Sequence, residues 1–424
     1  MKKTFATLLL LITLGIAPGE VFAARQFSTG FEWQNTTSGV EWVTTVSTPT
    51  ISTSVKHGGN ASLQMTTAVT AKSISWTQGN STRYYLRYYF YFTPGAGTNP
   101  ILTAGMRDAS NYYAGYLTIE DNGTNPFLTV RANSTSTPIS NTATLQNNTW
   151  HMVEMYIDTL GGTNSDILTV RVDGVQVANS ATQNMVISPS AFEISASNSS
   201  GSGDIFYLDD IAVDPGGVQG LWQGEGKIVA AVPNAAGFSA CTTGTFSSIN
   251  EIPQSDTSTG GTDRCEMTVN TGQTATFNVT DSSALGIDSY DTINLLYPMA
   301  RLNEAASNVT VWNILISANG VATTTSSGFD VGDTTIRTNP IGTINFGNLL
   351  VSTTNPATSL AWTPTGSNSI DSMKIGITGT DFNPDVYMQT FAVMIEYRDA
   401  NLPLGPLYYS VGKMIIAKGK MSII

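Results

Sequence analysis

The residues with the most chemical potential lie on one short run, YYLRYYFYF, from Tyr84 to Phe92. Read with a period of two, it sets Leu86, Tyr88, Phe90 and Phe92 on one face and Tyr85, Arg87, Tyr89 and Tyr91 on the other. A sheet face open to water ordinarily carries Thr, Lys or Glu, so the polar aromatic face is either packed beneath loops or open to a ligand. The run WHMVEMYID adds Glu154 and Tyr156 on one side, with Val153, Met155 and Ile157 opposite. Tyr116 joins them if Leu117 and Ile119 face the core; Tyr112 and Tyr113, in a loop beside Asn111, are alternative contacts. Tyrosine rings stack on the C–H faces of sugars, and planar Arg and Glu groups bond hydroxyls in pairs. The chemistry these types suit is glycan binding, with a polysaccharide or cell-surface glycan as partner.

Such residues need strands to hold them, and the composition supplies little else. Of 424 residues, 12% are charged and 41% hydrophobic, and no run beyond the first two dozen residues has helical spacing. The apolar content is ample for large cores, which argues against disorder. A formal charge of −12, with 19 Lys and Arg spread along the chain, argues against nucleic acid as a partner. From Phe27 to about Pro215 short strands alternate with Asn, Gly, Ser and Thr turns. Among them ILTVRVDGVQVA reads as a hairpin turning at Asp173-Gly174. Asp214-Pro215-Gly216-Gly217 reads as a linker. Further strand candidates follow it, including KIVAAVP, TATFNV, DTINLLYPMA, VTVWNILIS, SMKIGITG and MQTFAVMIEYR.

The expected organisation is all-β: a signal peptide over 1–23, β-sandwich domains over 24–216 and 221–399, and a tail over 400–424. Lys2 and Lys3, the apolar stretch Phe5 to Ala17 and the Val21-Phe22-Ala23 cleavage site make a Sec-type export signal, too short and too broken by Pro18-Gly19 to span a bilayer. No membrane span is expected in the mature chain, which is placed outside the cell or at its surface. In that oxidising setting Cys241 and Cys265, 24 positions apart, are expected to form a disulfide. The apolar tail, with Lys413, Lys418 and Lys420, reads as a final strand, a partner contact or a frayed end; self-association as a homo-oligomer is compatible with it.

The ordered series FE (Phe31, Glu32), KHGGNASLQM (56–65), YYLRYYFYF, NTWHMVEMYID, LTVRVDGVQV and IFYLDDIAVD resembles the concanavalin A-like, laminin-G-like jelly-roll sandwich across 27–214. The segments WQGEGKIVAAVPNAAG and YDTINLLYPMA, with FAVMIEY, resemble a module that follows such lectin-like domains in phage tail-associated and related exported proteins. The first resemblance implies a jelly roll whose relatives bind glycans, adhere, or cleave polysaccharides, so only the site can choose. Retaining hydrolases of this fold carry E-x-D-x-x-E, which points carboxylates about 5 Å apart into one cleft. Glu120, Glu154 and Glu193 lack that context. Lyases of the fold use Arg, Gln-His and Tyr, but His57 lies in a KHGG turn and His151 beside Trp150, neither in a Q-x-H strand.

No cofactor is expected beyond a structural calcium ion. In such sandwiches the first and last strands are neighbours, which would bring Glu32 to Asp209, Asp210 and Asp214. The expectation is therefore an exported, non-enzymatic glycan-binding or adhesive protein. The alternatives are a lyase or hydrolase with an unrecognised site, and a structural component of an extracellular or phage-tail-like assembly.

Overall fold

The computed structural model describes residues 27–400 apart from breaks, the longest being 35–43, 253–263 and 340–351, together with 414–417 and 420–423. The expected signal peptide, 1–23, and residues 401–413 of the tail lie outside the described residues. The rest is all-β, and no described helix is long and apolar enough to cross a membrane.

An eight-stranded antiparallel sheet runs in the order Val175–Gln183, Asp166–Val172, Trp150–Asp158, Arg83–Thr93, Ile205–Pro215, Ser62–Thr66, Thr50–Ser52, with Phe27–Thr29 also pairing on Ile205–Pro215. A seven-stranded sheet runs Ser140–Thr144, Pro126–Arg131, Tyr113–Asp121, Pro100–Arg107, Ala191–Asn198, Lys72–Thr77, Thr44–Val46. Their facing sides make one core that includes Leu86, Tyr88, Phe90 and Phe92 from the first sheet and Leu117, Ile119, Phe192 and Ile194 from the second. The alternation in YYLRYYFYF thus resolves as expected, because one face is fixed by this apolar layer. The hairpin at Asp173-Gly174 has φ of 50° and 74°, the left-handed pair that a two-residue turn needs to match strand twist.

The second sandwich repeats the plan. Lys227–Ala231, Val386–Arg398, Thr292–Glu304 and Arg337–Asn339 form one sheet, with Cys265–Met267 pairing on Val386–Arg398. Pro233–Ala236, Thr274–Val279, Met373–Gly379, Val311–Ala318 and Val321–Thr324 form the other, with Phe329–Asp330 on its Val311–Ala318 strand. Cys241 and Cys265 are disulfide-bonded, tying the segment before the 253–263 break to the strand after it. In the tail, Met414–Ala417 pairs with Lys420–Ile423.

The two sandwiches meet sheet against sheet. The outward side of the second sandwich's first sheet supplies Ile228, Ala230, Leu295, Tyr297, Met299, Ala392 and Met394, which cluster with Trp33 of the first sandwich. At the centre of the contact the Arg87 guanidinium meets the Glu396 carboxylate at 2.9 Å, both side chains fully buried. Ser28 Oγ donates to the other Glu396 oxygen at 2.9 Å, and Arg87 also donates to the carbonyls of Asp210 and Gly224, each at 3.3 Å. A buried ion pair is tolerable only when its remaining donors and acceptors are met in this way.

Candidate functional site

The polar aromatic face of Arg83–Thr93 is not an open surface. Tyr85, Arg87, Tyr89, Glu154 and Tyr156 do lie together, but each is 3% exposed or less. The segment 222–226, just past the linker, lies along them and takes up their polar atoms. Gln223 Nε2 donates to the Tyr85 carbonyl, Gly224 N donates to Glu154 Oε1 at 2.8 Å, and Tyr89 Oη donates to Glu225. Trp222 stands edge-on to the Tyr85 ring and is stacked by Arg171 at 4.1 Å. Tyr156 donates to Asp158 at 3.1 Å. Burial drives the Glu154 carboxyl above its usual range, against the Gly224 bond and the Arg171 and Arg87 charges. These five residues are the seam between sandwiches. The expectation of an exposed face fails because WQGEG, distant in sequence, carries no strand alternation to mark it as a cover.

Tyr116 is also misplaced by the expectation. Leu117 and Ile119 do face the core, yet their strand belongs to the other sheet, so Tyr116 looks out from the opposite side of the molecule. There it meets Tyr113. Simple alternation would put residues three apart on opposite faces, but the register slips between Gly105 and Arg107, and Gly115 adopts φ of +81°. A glycine bulge turns both rings outward while Ala114 stays in the core. The Tyr113 and Tyr116 rings lie 4.8 Å apart. Tyr113 Oη donates to Glu193 Oε1 at 3.0 Å, and Arg107 pairs with the other oxygen of Glu193 at 3.0 Å.

Across the sheet the outward row reads Glu193, Gly105, Tyr116, Arg131, and the next Ser195, Thr103, Thr118, Thr129. Gly105 permits the close approach: a Cβ there would stand 2.4 Å from that of Tyr116. Tyr112, 60% exposed, lies beside this face on a turn whose amides are held by Asp108 Oδ1. Burial, with the Glu193 charge and bond, raises the Tyr113 hydroxyl far above its ordinary value, so it acts as a donor and not as a base.

Glu32, Asp209 and Asp210 converge, but around main-chain amides of the 57–61 turn. Glu32 accepts from Asn60 N and Ala61 N, Asp209 from His57 N, Gly58 N and Asp210 N, and Asp210 from Ile228 N and His57 Nδ1. Burial and the Asp210 and Glu32 charges push the Asp209 carboxyl well up, although the amides of His57 and Asp210 oppose this. Asp214 is opposite Tyr85 and Asp209 opposite Tyr89, about 13 Å apart along the strand. The four therefore do not form one ligand set. Among the described residues no group of three or more His, Cys, Asp or Glu is placed to hold a metal.

Both histidines are engaged structurally. His57 stacks on Tyr89 at 3.7 Å. The His151 ring is hydrogen-bonded through Nδ1 to Asp173, at 2.7 Å, and through Nε2 to the main chain of Gln146.

No protein-family model and no curated protein matches the chain. Among solved structures it is similar to the cellulose induced protein Cip1, at 15% identity over 44% of this chain and 96% of that one, with a TM-score of 0.33. It is similar to the Emp47p carbohydrate recognition domain at 13% identity over 45% and 96%, TM-score 0.32. It is likewise similar to the alginate lyase Aly36B at 13% identity over 45% and 98%, TM-score 0.31.

Proposed function

We propose that the chain is an exported, non-catalytic glycan-binding or adhesive protein whose ligand face is the outward side of the seven-stranded sheet, displayed by the second sandwich. The observation that carries this reading is the Tyr113–Tyr116 ring pair beside the Arg107–Glu193 pair on a partly exposed sheet face. The part-exposed Tyr113 ring, backed by the largely buried Tyr116 ring at 8% exposure, offers a stacking plane for C–H faces, and Arg107, Glu193 and Arg131 offer planar groups for hydroxyls. Catalysis is disfavoured because the carboxylate pattern of retaining hydrolases is lacking from the sequence. The disulfide fits an oxidising compartment.

The test is binding of the full chain to a panel of neutral and acidic polysaccharides, compared with Tyr113→Ala/Tyr116→Ala. Loss of the stacking ring and the ring behind it is expected to cost about 2 kcal/mol, a roughly 30-fold weaker Kd. Equal binding by the variant would remove this face from consideration. Release of unsaturated or reducing ends from any polysaccharide would turn the reading toward an enzyme.

A further inference from the structure

Beyond the seam, the eight-stranded sheet carries a second aromatic row that segment 222–226 does not cover. Strand register places Trp150 opposite Tyr91, Tyr91 opposite Tyr207, Tyr207 opposite Gln64 and Gln64 opposite Thr50. Trp150, Tyr91 and Gln64 are partly exposed and Thr50 is exposed. Ring centroids step by 5.5 Å from Trp150 to Tyr91 and by 5.7 Å from Tyr91 to Tyr207.

The polar tips separate this row from its neighbours. Tyr89 and Tyr156 spend their hydroxyls on Glu225 and Asp158. The hydroxyls of Tyr91 and Tyr207 and the indole N–H of Trp150 have no protein partner among the described residues, and none of the three is buried without one. The row itself holds no charged side chain; the His57 ring, paired with Asp210, stands edge-on to Trp150 at 5.7 Å. The flanking outward positions are Thr93, Ile205 and Thr66 on one side and Met152, Tyr89 and Asp209 on the other, where Asp209 is fully buried. The turn before Trp150 is clamped by His151 on Gln146 and by Asn148 N on the Phe92 carbonyl, so the indole is pre-positioned.

We infer that Trp150, Tyr91, Tyr207 and Gln64 form a second saccharide site, for a neutral β-linked pyranose chain with equatorial hydroxyls. Trp150 and Tyr91, 5.5 Å apart, are spaced like neighbouring sugars of a chain and supply the stacking planes, while the largely buried Tyr207, edge-on to Tyr91, offers its hydroxyl and the Gln64 amide is next in line for hydroxyls. The absence of charge on the row disfavours uronate or sulfated glycans, whose charge would need paired cations. Interplanar angles of 56° and 79° make a twisted platform, which suits a single soluble chain and not the flat face of a crystalline polymer. This site stands on a different sheet from the Tyr113–Tyr116 face and does not depend on it.

Calorimetric titration of the full chain with cellohexaose and xylohexaose, with an alginate hexamer as the charged comparison, tests the inference. At least one neutral hexamer is expected to bind and to quench tryptophan fluorescence. Trp150→Ala/Tyr91→Ala should weaken that binding about 30-fold. Gln64→Ala and Tyr207→Phe, which remove polar tips without opening a cavity, should each weaken it several-fold in a protein of unaltered melting temperature. Failure of every neutral hexamer to bind, preference for the alginate hexamer, or binding indifferent to both Gln64→Ala and Tyr207→Phe would overturn it. Loss only in the Tyr113→Ala/Tyr116→Ala protein would locate neutral binding on the other face and equally overturn it.

Discussion

Substituting Glu396 with leucine strands the Arg87 guanidinium at the centre of the seam. The two side chains are fully buried and 2.9 Å apart, and without Glu396 the guanidinium keeps only the Asp210 and Gly224 carbonyls at 3.3 Å. Breaking a buried pair from one side costs about 3–5 kcal/mol, because the surviving charge stays desolvated. A unit of this size loses roughly 2–4 °C per kcal/mol, so the melting temperature should fall by about 6–20 °C. Arg87→Met should cost a similar amount, since the buried Glu396 carboxylate would lose its countercharge and keep neutral donors such as Ser28 and Asn294. The double variant Arg87→Met/Glu396→Leu replaces the pair by apolar groups and should recover most of the loss. Scanning calorimetry reads all three proteins and shows whether the sandwiches still unfold together. A shift below about 2 °C for Glu396→Leu, or strict additivity in the double variant, would refute a dry, paired seam.

Other consequences follow from the same contacts. Gly226→Ala would place a Cβ 2.2 Å from Arg87 Nη1, so it should destabilise by more than about 1 kcal/mol in urea titrations, although residue 226 lies in no strand. Removing the disulfide with Cys241→Ser/Cys265→Ser should cost about 3 kcal/mol from the freed loop, read as a reductant-insensitive loss of stability. Burial alone would lower the His151 pKa, but the Asp173 bond and charge and the Gln146 carbonyl raise it above 6.5. Its contribution to stability is then fully present below about pH 6.5 and lost as pH rises through the folded value. Asp173→Asn should flatten that pH dependence in stability curves from pH 5 to 9. Parallel curves for the two proteins would contradict the assignment.

Much of the architecture is legible in residue order because each strand has one face against an apolar layer. Leu86, Tyr88, Phe90 and Phe92, or Val153, Met155 and Ile157, identify their sheet side by alternation alone. What covers the other side is not legible. Arg87 and Glu396 are 309 positions apart, and nothing local to either reveals the partner. The polar aromatic face was read as one surface, but the fold divides it: Tyr85, Tyr89 and Tyr156 enter the seam, while Tyr91 stays beyond it beside Trp150 and Tyr207. The Tyr113–Tyr116 pair was hidden for a different reason. Their spacing of three contradicts strand periodicity until a bulge at Gly115 is allowed, and glycine in YYAGY was the available signal. Of the four carboxylates expected to converge, Glu32, Asp209 and Asp210 gather on main-chain amides while Asp214 lies farther along the strand, and charge count alone carries no signal for those amides.

The most direct measurement is the Kd of the intact chain for a panel of polysaccharides, with the Tyr113→Ala/Tyr116→Ala protein titrated in parallel. Binding of at least one glycan, weakened roughly 30-fold in a variant that still unfolds cooperatively, is expected if the seven-stranded sheet carries the ligand face. Uniform absence of binding, or binding that the variant retains in full, would contradict it.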